Sequence, residues 1–132
     1  MTRREIRENV FKLLFRVEFH NEEEMNEQLD LLKEELQGAS DKDLEYISEK
    51  CKGLFTHLEE IDKAIDEVSK GWKTSRMAKV DLTIIRLAVY EIKYEDDIPV
   101  KVSINEAVEL AKMFGTDESK SFVNGVLAKF VC

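Results

Sequence analysis

A chain of 132 residues that is 43% hydrophobic and 36% charged, with one proline, five glycines and a formal net charge of −8, is long enough for one domain with its own core and too hydrophobic to be disordered. No apolar run approaches the ~18 residues of a membrane span and the charged start lacks a signal-peptide core, so a single all-α domain over residues 1–132 is expected in the cytoplasm, with no membrane partner. Cys51, Cys132, His20 and His57 have neither the number nor the spacing of a disulfide framework or a zinc site, so reduced thiols and no metal or cofactor are expected.

The first helix is predicted over residues 3–19. Ile6, Val10, Leu13, Leu14 and Val17 recur at helical spacing, and Phe11, Phe15 and Phe19 add an adjacent apolar row. So broad an apolar surface implies either several packing neighbours or an aromatic left at a binding surface. Arg3 and Arg7 are four apart with Arg4 beside them, interleaved with Glu5 and Glu8. Such a cluster reads either as a salt-bridged helix surface or as guanidiniums able to fork onto phosphates. Residues 1–20 carry +2, residues 21–70 carry −10 and residues 71–132 sum to zero. The acidity is therefore confined to the middle, and exposed charges more than about 10 Å apart are largely screened at 0.1 M salt, so a basic surface at the start survives.

Asn21 with Glu24 three positions on marks the start of a second helix, lined by Met25, Leu29, Leu32 and Leu36 and ended by Gly38. Ser40 or Asp41 caps the third, whose buried face is Leu44, Ile47, Cys51, Leu54 and Leu58. Gly53 is expected to bend or break it at a cost of about 1 kcal/mol relative to alanine. The pattern resumes through Ile61, Ala64, Ile65 and Val68 towards Gly71. Residues 77–94 are apolar nearly all round, which predicts a central helix, and Asp96-Asp97-Ile98-Pro99 ends it. Ser103 and Glu106 read as a capping box that starts a helix at Ile104, Gly115 as its left-handed close, and Thr116 as the cap of a last helix burying Phe122, Val123, Val126, Leu127 and Phe130. About six or seven helices in two sub-bundles result, without a repeat or a sheet.

No phosphate loop, nucleophile elbow or HExxH motif is present, and paired acids such as Asp117-Glu118 fit helix starts better than acid–base chemistry, so no enzyme is expected. INEAVELAKMFG and SFVNGVLAKF closely resemble the C-terminal signature of the NusB family of bacterial transcription antitermination factors. VDLTIIRLAVYEI and DIPVKVSINEA continue the likeness, and RREIRENVFKLLFRVEF resembles the family's Arg-rich first helix. The likeness covers essentially the full length, residues 21–70 matching only in helical character.

This resemblance implies a NusB-like bundle that binds boxA-like single-stranded RNA together with ribosomal protein NusE and helps assemble an antitermination complex on RNA polymerase. It implies RNA contacts at Arg3, Arg4 and Arg7. Phe15 stands where the family has an aromatic, usually Tyr, and can stack on a base or pack in the core. Phe114, Asp117, Glu118 and Lys120 fall at the turn that lies near RNA in the family, with Lys101 and Lys112 as further candidates. Asp81 and Phe122 match positions of the contact with NusE, although Phe122 also lies on a core stripe. Only Met1 and Thr2 precede Arg3, so no basic tail is expected to add phosphate contacts and dependence on the partner is correspondingly greater. The alternative is a module of the same fold with protein contacts only, such as a homodimer hiding the basic helix. RNA methyl transfer, carried out by enzymes with a NusB-like N-terminal region, is not expected of a chain this short.

Overall fold

The computed structural model describes residues 1–131, so the expectation placed on Cys132 lies outside the described residues. The regular elements among them are six α-helices and two short 3-10 turns: α1 (Arg3–Phe15), α2 (Glu22–Glu35), α3 (Asp41–Val68), α4 (Lys79–Tyr94), α5 (Val100–Phe114) and α6 (Ser119–Ala128), with 3-10 turns at Arg16–Glu18 and Thr74–Arg76. None is long and apolar enough to cross a membrane. The chain packs as two compact units, Met1–Thr56 and His57 onward, the division falling within α3.

In the first unit α1 and α2 pack together and bury Val10, Leu13, Leu14, Met25 and Leu29. Local capping sets the helix starts. Thr2 Oγ1 accepts the Glu5 amide at 3.1 Å while Glu5 accepts the Thr2 amide at 2.8 Å. Asn21 and Glu24 make the same reciprocal pair, both at 2.9 Å, and Ser40 Oγ accepts the Asp43 amide at 3.1 Å. These satisfy amides that a helix start leaves unpaired. Two expectations change. α1 ends at Phe15 rather than residue 19, the chain tightening to a 3-10 turn over Arg16–Glu18. α3 runs 28 residues without a break at Gly53, because Cys51 and Leu54 beside it are buried and packing outweighs helix propensity.

In the second unit α4, α5 and α6 pack on one another. Every residue from Leu82 to Val89 is buried, as a helix apolar on most sides requires. The α5 start differs from expectation: Pro99 is the N-cap, and Ser103 lies inside the helix. Its hydroxyl donates to the Glu91 carboxylate at 2.7 Å in the core, so the Ser-x-x-Glu pattern marks a buried polar tether and not a cap. Gly115 also departs from its predicted role, with φ −96° and ψ −169°. Glycine is required there by close approach: a Cβ would overlap the Ser119 side chain and press on the Ala111 carbonyl. Nor does Thr116 cap α6. The Thr116 amide donates to Ser119 Oγ at 2.9 Å, and α6 begins at Ser119 behind Glu118.

Candidate nucleic-acid and partner interface

On the first unit, Arg3 and Arg4 are exposed at the start of α1, and Arg4 already has an interaction within the fold. Arg7 departs from the expected trio of exposed guanidiniums. It is only 7% exposed and engaged within the structure. Residues four apart lie on one helix face, and Arg7 is in register with the buried Phe11; that face turns inward before the second turn of the helix. Further along the stripe Phe15 is half-buried, with Phe11 at 6.4 Å and Phe19 at 5.6 Å between ring centroids. Phe19, displaced from α1 by the 3-10 turn, is 70% exposed. The sequence placed it in an apolar row and gave no sign that it, rather than Phe15, would carry the open ring.

Lys101, Glu118 and Lys120 are exposed on the second unit, and Phe114 is half-buried at the end of α5. Glu118 sits beside Phe122 on the wall of a groove of about 390 Å³ that Trp72, Arg76, Met77 and Asp81 also line. Asp81 in the first turn of α4 and Phe122 in α6 are thus brought together by the packing of those two helices. Phe122 is half-buried and opens on this groove as well as meeting the core. Asp81 Oδ1 is buried and has no hydrogen-bond partner among the described residues. An unmatched buried acceptor is unfavourable by about 1–3 kcal/mol, so turning this carboxylate outward to an incoming N–H or O–H donor in the groove relieves that cost.

Trp72 and Arg76 were not legible as site residues, because the segment between Val68 and Lys79 has no strong period. Side-chain tethers hold it. Ser69 Oγ donates to the Trp72 carbonyl at 2.7 Å. Asp66 accepts the Thr74 amide at 2.7 Å and the Thr74 hydroxyl at 3.2 Å. Within the same unit, Arg86 forks onto Asp62, Nε to Oδ1 at 2.8 Å and Nη2 to Oδ2 at 2.7 Å. This bidentate pair ties α4 to α3 and leaves Arg86 nearly buried. Away from the groove His57 stacks on Tyr94 at 4.3 Å, and the Tyr94 hydroxyl donates to Glu60 at 3.0 Å. That bond and the His57 contact hold the Glu60 carboxyl below its usual range. Burial pushes the Cys51 thiol up to about 12, which leaves it protonated and unreactive in the fold.

The NusB family profile matches residues 4–131. Transcription antitermination protein NusB of Agathobacter rectalis is 68% identical over 130 residues, covering 98% of this chain and 99% of that protein. The protein of the same name from Lachnoclostridium phytofermentans is 50% identical over 131 residues, covering 99% of each. Among solved structures, T. maritima NusB superposes with a TM-score of 0.86 at 36% identity, covering 98% of this chain and 89% of that one. A chain from the crystal structure of antitermination factors NusB and NusE in complex with dsRNA gives a TM-score of 0.82 at 26% identity, covering 96% and 92%.

Proposed function

This chain belongs to the NusB family, and from that premise we propose that it is a non-catalytic antitermination factor that binds boxA-like RNA together with NusE. The two factors then help assemble the antitermination complex on RNA polymerase. The observation that carries the reading is the groove in which Asp81 and Phe122, far apart in sequence, come to share one wall. A protein partner inserting an apolar group against Phe122 and a donor towards Asp81 Oδ1 matches both chemistries at once.

RNA is met on α1. Arg3 and Arg4 are the leading phosphate contacts, and Arg7, being buried, supports the helix beneath them. Phe15 and Phe19 offer ring surface for a base, Phe15 lying about 17 Å from Arg4 along the axis at 1.5 Å per residue. Lys101, Lys120, Phe114 and Glu118 are secondary candidates on the second unit, Glu118 tempering affinity by repelling phosphate. Guanidiniums fix the backbone and exposed bases are read by stacking and at their edges.

Titration with boxA-type RNA over a range of salt tests this directly. Two phosphate contacts give a slope of log K against log salt of about −1.4 for a single strand. Replacing Arg3 and Arg4 together by alanine flattens that slope and leaves NusE affinity unchanged. An unaltered slope removes α1 from the RNA site.

A further inference from the structure

Trp72 and Phe122 meet edge to face, their ring centroids 6.5 Å apart at an interplanar angle of 87°. Together they form a ridge with a groove on each side. One is the groove containing Asp81. The other, of about 330 Å³, runs over Gly125 and Val126 between Ser69, Ser121 and Lys129. Trp72 is 55% exposed, a large apolar surface for a chain to leave in water.

Gly125 lies inside α6, where glycine is the poorest helix former apart from proline. Its backbone is not in the left-handed region, and a Cβ there would meet no atom within 4 Å. Neither conformation nor crowding within the chain calls for glycine, and folding alone would favour alanine. Beside it the Lys129 ammonium donates to the Val68 carbonyl at 3.0 Å.

We propose that the protein partner crosses the Trp72–Phe122 ridge and fills both grooves, its main chain lying against the bare backbone at Gly125 and a donor reaching Asp81 Oδ1. The proposal rests on the preceding reading, in which a protein partner binds at Asp81 and Phe122, and extends that footprint to Trp72 and Gly125. Continuity supports it, since the two grooves share both aromatic residues. Charge favours polypeptide over RNA: two carboxylates, Asp81 and Glu118, against one guanidinium, Arg76, line the first groove and repel phosphate on balance, whereas a peptide N–H or a cationic side chain matches the unpaired Asp81 oxygen. Trp72 takes the place of a central anchor, an exposed aromatic that becomes buried on binding.

The test is calorimetric titration of the whole chain with purified NusE, comparing Gly125→Ala, Gly125→Gln, Trp72→Ala and Phe122→Ala. Gly125→Ala raises the melting temperature by about 3 °C and yet weakens binding about threefold, the two effects moving in opposite senses. Gly125→Gln and Trp72→Ala weaken binding by about tenfold or more. Normal binding by these two variants, with loss in Phe122→Ala, confines the partner to the first groove and overturns the extension while the preceding reading stands. Normal binding by Phe122→Ala as well overturns both. Should Gly125→Gln impair RNA binding by the isolated chain and spare NusE, the second groove is an RNA surface and the proposal is wrong.

Discussion

The start of α1 and the grooves beside α6 are held in place by different kinds of interaction. The α1 surface stands on bonds between near neighbours, the reciprocal pair at Thr2 and Glu5, and α2 beside it starts on the same device at Asn21 and Glu24. The elements that carry the grooves are tied by side chains that reach between them: Arg86 to Asp62, Thr74 to Asp66 and, further along α4, Ser103 to Glu91. A patch of charge needs only a helix to display it. A recess of defined shape needs several elements fixed against one another, and buried polar groups that find all their partners give that definition.

The contrast predicts a graded set of losses. Asp62→Ala removes the bidentate carboxylate from a nearly buried guanidinium and destabilises the protein by about 3 kcal/mol, read as a loss of melting temperature of roughly 10 °C. Asp66→Ala removes both acceptors from Thr74 and is destabilising by about 2 kcal/mol; it also weakens NusE binding, because the turn carrying Trp72 and Arg76 loses its anchor, while RNA affinity is kept. Thr2→Ala removes a cap from α1 at a cost of about 1 kcal/mol, and its urea midpoint falls with NusE affinity unaltered. Equal effects of Asp66→Ala and Thr2→Ala on partner binding would erase the distinction between the two regions.

Acid produces the smallest change. The Glu5 carboxyl is held below the ordinary glutamate range by the Thr2 amide and then by the Thr2 hydroxyl. A depressed carboxyl adds stability above its unfolded value and loses it as pH falls through the folded one. The α1 cap therefore weakens below about pH 4.5. Thermal melts between about pH 6 and about pH 3 should show the natural chain losing slightly more stability than Glu5→Gln; identical losses would mean that the cap is indifferent to ionisation.

What the sequence made legible follows the same division. The caps at Asn21 and Ser40 are contained in four consecutive residues, and the run from Leu82 to Val89 declares a buried helix by its lack of a polar face. Ser103 misled because Ser-x-x-Glu has one meaning at a helix start and another inside a helix that Pro99 has already begun. Gly115 was placed near the right boundary for the wrong reason, since tight contact and not a left-handed backbone excludes a side chain there. Arg7 was grouped with Arg3 and Arg4 by sequence proximity alone, but its register with Phe11 turns it inward. Trp72 and Gly125 gave no sequence signal, since their role depends on contacts between segments that no local pattern encodes.

Trp72 is the chain's single tryptophan, and it stands on the ridge between the two grooves rather than in the core. Indole emission from the unlabelled molecule therefore reports on one place alone. A ligand that covers the ridge shifts the emission to the blue, so a fluorescence titration follows its arrival there without a label.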